Sequence, residues 1–402
     1  MTTLISFLGK SQLDSKTGYR TARYRMPDGT IHETAYLGLA LAEHLAAERV
    51  ILLGTESSMW DLLVENVAGD HAADELRLEL FDAVKESRVT QSLLDDVAPS
   101  MAAQLGRPVA SLLIPSCATF AEQQEVLTRL ADHLHQSECV VLDLTHGFRH
   151  LAMLGFAAAR YLVHARGVTV QGLYYGAFDM THNGVTPVVT LDGLAHLQEW
   201  AEAFEAYEAS GDFSRFAPLL VQDGFPRAAA DALVRAWRLL MVSNVHDAAK
   251  SLQPVLQALG TPLSGASELF RVRLQKALRW SLESALSEKF RLLALQSLKR
   301  GDALRASIFG LEAFLAREVE AAAGNPLDYA QRKAADEHFQ AQVRGGSVPD
   351  WKREAFWLLK NVRNSCAHGT PPSHARHAQL LRNPQQLARE LEATLNRLTN
   401  TP

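Results

Sequence analysis

Arg363, Asn364, Ser365, Cys366, Ala367, His368 and Gly369 close an apolar stretch near the C-terminus and run into Thr370, Pro371 and Pro372. An imidazole moves protons near neutral pH, and a guanidinium holds the charge that builds on a phosphate. An Arg and a His held at one helix end can therefore cleave RNA without a metal. Spacing alone does not establish this, because a chain with 15 histidines carries an Arg five residues before a His about once by chance. Five residues of helix turn through about 140°, so one copy of the stretch does not focus both side chains on one phosphate, whereas two copies across a symmetry axis can. Cys366 stands about 200° from His368 on the same helix and reads as packing rather than as a thiol nucleophile.

A second constellation lies more than two hundred residues upstream. Asp143, Thr145, His146, Gly147 and Arg149 follow the apolar run CVVLD and open a helix. Backbone N–H groups, the helix dipole and a cation then converge at the carboxyl end of a strand, which is an anion or nucleotide site by physics. Two rival readings use the same residues. His146 and His150 stand at i and i+4 on one helix face with Asp143 just before them, the spacing of a metal site, and Asp143 and Thr145 can simply cap the helix while the histidines pack.

The elements that position these groups are legible from periodicity. Continuous apolar runs at 3–9, 49–56, 109–115, 139–143 and 168–176 read as buried strands, with helices between them at about 38–47, 119–137 and 147–165 and in most of 70–106. Residues 19–37 read as a hairpin turning at Pro27, Asp28 and Gly29 that decorates the first crossover. Residues 184–191 read as a last strand at the sheet edge, because Pro187 suits a central strand poorly. The expected fold is an α/β Rossmann-like parallel sheet, doubly wound and covered on both faces. From about residue 194 the strand pattern stops, and helices are expected at 194–209, 225–241, 243–259, 266–300, 302–323, 351–364 and 384–399, giving an all-α second half. Val343–Pro349 reads as a loop, and His374 and His377 as part of a basic, solvated one. Between Arg271 and Arg305 nine basic residues face three acidic ones, either a solvated face or a surface that holds RNA or docks the other domain.

Composition sets the bounds. At 402 residues, 47% hydrophobic and 21% charged, the chain suits two or three folded domains. A formal charge of −5 argues against non-specific coating of nucleic acid, so any RNA contact is local. No apolar run reaches the roughly 18 residues of a membrane span. The three cysteines, Cys117, Cys139 and Cys366, are too few and too dispersed for a disulfide framework or a zinc site, which fits a reducing, cytoplasmic location.

The stretch Asp143-Leu144-Thr145-His146-Gly147 resembles the DxTHG motif of CRISPR-associated Rossmann-fold (CARF) sensor domains. The first strand ending at Gly9, the Gly54-Thr55-Glu56 after the second strand with Trp60 nearby, and Tyr174-Tyr175-Gly176 agree in order. The resemblance implies a dimeric domain that binds cyclic oligoadenylate, with ligand contacts at Lys10, Ser11, Thr55, Glu56, Thr145, His146, Gly147 and Arg149. Arg363 to His368 in turn resembles the RxxxxH motif of HEPN ribonucleases, the usual C-terminal partners of CARF domains.

Together the two resemblances imply a CARF-like sensor at 1–192, a helical linker region at 193–265 and a HEPN-like ribonuclease domain at 266–402. They imply a type III CRISPR antiviral endoribonuclease, activated by cyclic oligoadenylate and acting on single-stranded RNA as a homodimer or higher homo-oligomer. Catalysis would use Arg363, Asn364 and His368 with no metal or other cofactor. His368 would be general acid or base, Arg363 would stabilise the phosphorane, Asn364 would orient the His or a phosphate oxygen, and Glu312 is a possible support for Arg363. The products would be 2′,3′-cyclic phosphate and 5′-hydroxyl ends. The alternatives are a CARF sensor with a non-catalytic helical binding module, or the metal phosphodiesterase at Asp143, His146 and His150.

Overall fold

Along strand β1 (Thr2–Leu8), Leu4 and Leu8 enter one apolar layer and Ile5 and Phe7 enter another. This period-2 division of an almost wholly buried strand means that both faces of its sheet are covered. The computed structural model describes residues 1–10, 13–14, 18–19, 21–63 and 74–398. The chain divides into two compact units, Met1–Ala195 and His196–Pro402, and the division falls within one helix.

In the first unit the later strands are β2 (Leu13–Asp14), β3 (Gly18–Tyr19), β4 (Ala22–Arg25), β5 (Ile31–Thr34), β6 (Arg49–Gly54), β7 (Val109–Leu113), β8 (Cys139–Asp143), β9 (Thr169–Gly176) and β10 (Val185–Thr190). Seven of them join β1 in one eight-stranded sheet in the order β5-β4-β10-β9-β8-β1-β6-β7, while β2 and β3 pair separately. The strands β9, β8, β1, β6 and β7 run parallel. The chain winds outward from β1 to β6 and β7, then crosses back to β8 and β9. The carboxyl ends of β1 and β8 therefore flank the switch point, where open α/β sheets receive ligands. Helices α1 (Leu37–His44), α2 (Trp60–Leu63), α3 (Asp74–Lys85), α4 (Gln91–Leu105), α5 (Phe120–Asp132) and α6 (Arg149–Arg166) connect the strands. One layer packs Leu37, Trp60 and Leu94 on the sheet, and the other packs Leu130, Leu151 and Leu162. The Rossmann-like, doubly wound expectation is met.

The last strand differs from expectation. β10 is interior: residues 185–187 pair in parallel with β4, and residues 188–190 pair antiparallel with β9. Pro187 stands at the last rung of the β4 ladder, and its carbonyl accepts from the Ala177 amide at 2.9 Å. The proline thus lies where one ladder hands over to the other, and the missing N–H interrupts neither. The β4–β5 hairpin, instead of decorating a crossover, extends the sheet as its edge.

The division between units lies in α7 (Asp192–Ser210), and the second unit continues with α8 (Phe216–Gln222), α9 (Arg227–Met241), α10 (Val245–Leu259), α11 (Gly265–Leu278), α12 (Leu286–Lys299), α13 (Ala303–Ala321), α14 (Tyr329–Arg344), α15 (Asp350–His368), α16 (Ala375–Leu381) and α17 (Pro384–Arg397). One buried cluster runs from Trp200, Phe216 and Leu252 to Phe314, Phe356 and Leu391, so the 193–265 stretch and the remainder share a core. The single helix expected over 266–300 is two, separated by a 3₁₀ turn at Arg279–Leu282 whose Trp280 is buried. Among the described residues no helix is long and apolar enough to cross a membrane.

Candidate functional site

At the switch point the chain builds a seat from buried polar groups. Ser6, a buried hydroxyl between the apolar Ile5 and Phe7 of β1, donates to Asp143 Oδ2 at 2.6 Å and accepts from the Tyr36 hydroxyl at 2.6 Å. Asp143 is fully buried, and its Oδ1 accepts the Thr145 amide at 3.0 Å, bending the chain out of β8. Thr145 Oγ1 then accepts the Gly176 amide at 2.8 Å, tying the loop to the end of β9. His146 turns inward. Its Nε2 accepts the Leu37 amide at 3.2 Å, and its ring lies 5.2 Å from that of Tyr36. An acceptor Nε2 carries no proton, so this is a neutral imidazole. Burial pushes its pKa below the ordinary range, against the opposing pull of Asp143. Burial, then the Asp143 charge, likewise pushes the Tyr36 hydroxyl well above its usual value and keeps it a donor.

The loops after the neighbouring strands are laced to this seat. Gly9, after β1, touches Gly147 backbone to backbone, and Gly147 has φ +95°, a conformation glycine adopts without strain. The Gly9 carbonyl accepts from Met59, and Ser58 Oγ donates to the Leu8 carbonyl while accepting from the Thr55 amide. Trp60 Nε1 donates to the Thr55 carbonyl. Thr55 is buried and Thr145 and His146 are half-buried, whereas Lys10, Glu56, Gly147 and Arg149 are exposed. These residues all stand in the loops at the carboxyl ends of β1, β6 and β8 or at the start of α6. Ser11 lies outside the described residues.

In the helical unit, α15 continues through the whole Arg363–His368 stretch instead of ending near residue 364. It ends at Gly369, φ +67°, whose amide donates to the Ser365 carbonyl at 2.8 Å. Phe356, Leu359, Val362 and Ser365 face inward. Gly310 of α13 seats the helix, since a β-carbon there would lie 2.7 Å from Leu359 Cδ2. Arg363 and His368 are exposed and Asn364 is half-buried. Arg363 Nη1 donates to Asn364 Oδ1 at 2.7 Å, while the His368 imidazole has no hydrogen-bond partner among the described residues. Cys366 packs against the core, and burial raises its thiol pKa, as its packing role requires.

Two sequence expectations around α15 are corrected. The basic stretch with His374 and His377 is not a solvated loop: α16 begins at Ala375, and His377 is buried with Nδ1 accepting from Asn361 Nδ2 at 2.9 Å. Burial, followed by the nearby His374 and Arg376, lowers the His377 pKa, consistent with a bare Nδ1. Glu312 does not reach Arg363; its carboxylate takes Arg332 of α14 at 2.7 Å.

Residues 3–179 match the family described as CRISPR system endoribonuclease Csx1, CARF domain. The N-terminal unit is a CARF domain. A CRISPR-associated protein of Methanocaldococcus jannaschii, MJ1674, is 24% identical over 280 residues, covering 63% of this chain and 44% of that protein. The match thus spans less than half the length of that relative.

Within the CARF domain the three residues of the metal alternative each bond to other groups of the protein. Asp143 is committed to Ser6 and Thr145, His146 to Leu37, and His150 Nε2 meets the Ser116 carbonyl at 2.8 Å. Among the described residues no three His, Cys, Asp or Glu side chains are grouped to hold a metal ion. Sequence reasoning missed Ser6 and Tyr36. The available signal was a serine within TLISFL, where a buried hydroxyl requires a partner.

Proposed function

We propose that this chain is a cyclic-oligoadenylate-activated, metal-independent endoribonuclease acting on single-stranded RNA in type III CRISPR antiviral defence. The observation that carries this reading is the Arg363–Asn364–His368 set at the end of α15, with Arg363 and His368 exposed, in a chain whose N-terminal unit is a CARF domain. CARF domains in general bind cyclic oligoadenylates. Here Lys10, Arg149 and the open N-terminus of α6 suit the ligand's phosphates, while the Glu56 carboxylate suits an adenine amino group or a ribose hydroxyl. Thr55, Thr145, His146 and Gly147 shape the seat, and Ser11 is assigned to the ligand by its motif position alone.

Residues 266–402 form the HEPN-like ribonuclease part in this reading, with 193–265 leading into it. On α15, Arg363 and His368 diverge by about 140°, which favours a composite site between two copies of the chain. His368 exchanges a proton with the 2′-hydroxyl or the leaving 5′-oxygen. Arg363 holds the charge on the phosphorane, and Asn364, already bonded to that guanidinium, orients it. The products are a 2′,3′-cyclic phosphate and a 5′-hydroxyl. Ligand binding shifts the population toward the dimer arrangement in which both motifs align, and a preference of a few kcal/mol switches most molecules.

The test uses purified chain and labelled single-stranded RNA, with cyclic tri-, tetra- or hexa-adenylate, with and without EDTA, beside His368→Ala. Ligand-dependent cleavage that persists in EDTA and is lost in the variant is the expected result. Cleavage undiminished in His368→Ala would falsify the site assignment.

A further inference from the structure

The basic run from Arg271 to Arg305 separates into two classes in the folded helical unit. Arg271 pairs with Glu268 and Arg291 with Glu288, each through two hydrogen bonds, while Arg273 pairs with Glu208 and Arg305 with Asp302. Lys289 and Arg300 donate to backbone carbonyls. The remaining cations of the run, Lys276, Arg279 and Lys299, have exposed side chains with no hydrogen bond or ion pair among the described residues. All three line one groove of about 610 Å³ between α11, α12 and α17, where Arg389 of α17, likewise unpaired, joins them. The committed cations are thus neutralised mostly within their own helix turn, and the uncommitted ones converge from two separate stretches of sequence.

Three carboxylates also line the groove: Glu283, Glu288 and Glu392. Arg291 holds Glu288, and the Lys289 ammonium offsets Glu283, leaving Glu392 as the uncommitted anion facing four cations. The wall between the charges is apolar, formed by Leu292, Leu295 and Leu298. Spaced cations above an apolar wall fit a flexible polyanion that carries flat bases, its phosphates on the lysines and arginines and its bases against the leucines.

We propose that this groove is a track for single-stranded RNA, holding substrate through residues outside the Arg363–His368 set. The proposal rests on the ribonuclease reading for its choice of polyanion. Such a track binds by backbone charge, so it retains strands of any sequence and raises substrate concentration at the nuclease.

The experiment measures binding of a fluorescent 20-nucleotide RNA by anisotropy across a salt series, using full-length chain carrying His368→Ala so that no strand is cut. Lys276→Glu with Arg389→Glu should lower affinity at least about ten-fold near 0.1 M salt and flatten the log–log salt slope by roughly 0.7 for each phosphate that is no longer neutralised. Glu392→Gln should raise affinity. Because all these side chains are exposed, an unchanged melting temperature verifies the fold of each variant. Affinity and slope unchanged in the double variant overturn the track, as does absence of RNA binding by the parent. A shift in oligomeric state with RNA affinity intact also overturns it and marks the groove as a protein interface. The ribonuclease reading fails by a different result, absence of ligand-dependent cleavage by the wild-type chain, while the binding isotherms still decide the groove.

Discussion

Gly9 and Gly147 meet so closely that a β-carbon on Gly9 would lie 2.5 Å from the Gly147 amide nitrogen. This contact joins the loops after β1 and β8 without a side chain, and it fixes where the DxTHG backbone stands. Gly9→Ala should displace that backbone at a cost of about 1–3 kcal/mol. The expected outcome is cyclic oligoadenylate binding weakened at least ten-fold by calorimetry, with RNA affinity measured without activator unchanged. Wild-type affinity for the activator in this variant would show that the contact does not shape the ligand seat.

Ser6→Ala removes the hydroxyl that stands between Tyr36 and Asp143 and leaves two buried polar groups short of a partner. A loss of about 1–3 kcal/mol is expected, seen as a drop of several degrees in the melting transition of the CARF domain. Tyr36→Phe paired with Ser6→Ala should recover part of it, because the orphaned phenol is then gone. Double-mutant-cycle melts check this, and simple additivity would count against a shared network.

Two neutral histidines tie stability to pH with the same sign. His146 and His377 both have pKa values lowered from the ordinary imidazole value of 6.5, each chiefly by burial. The folded chain therefore binds fewer protons than the unfolded chain between the lowered values and 6.5. Their contribution is fully present above pH 6.5 and is lost as pH falls through the folded-state values. Melting temperature should decline below about pH 6.5, and His146→Gln, whose amide oxygen can still accept from Leu37, should flatten that decline. A decline equally steep in the variant would remove His146 from the account.

Much of this architecture was legible in the sequence, for physical reasons that differ by element. The parallel strands announced themselves because strands buried on both faces read as unbroken apolar runs. The place of β10 was not legible, since Pro187 signals an edge locally and only the pairing with β4 shows how the proline is accommodated. Helix α14 was missed because Phe339 is its one fully buried residue, so it carries no apolar stripe. The break at Arg279–Leu282 has neither glycine nor proline to mark it. At the candidate sites the motif residues were readable, but which of them face inward was not. His146 and Thr145 turned out to commit hydrogen bonds to the protein itself, and His377 is buried where basic neighbours suggested solvent.

The nuclease assignment separates activity from stability. Arg363 and His368 are exposed at the end of α15, so His368→Ala and Arg363→Ala should each change stability by less than about 0.5 kcal/mol while abolishing ligand-dependent cleavage. Asn364→Ala, which frees the guanidinium it now accepts from, should lower the turnover rate by roughly ten- to a hundred-fold with KM little changed. Steady-state kinetics beside thermal melts separate these outcomes, and a rate loss matched by a stability loss would argue for a structural role instead.

Strand β10 has one further consequence. It grips β4 through Val185↔Arg23 and β9 through Val188↔Gly176, so the N-terminal hairpin waits on a partner about 160 residues later in the chain. During synthesis, β4 and β5 emerge early and stay unpaired on their inner edge until Thr190 has left the ribosome. A closure this distant is slow. The sheet is completed by nearly the last residues of its own domain, so a chain truncated short of β10 would present an open edge to its neighbours rather than a finished sheet.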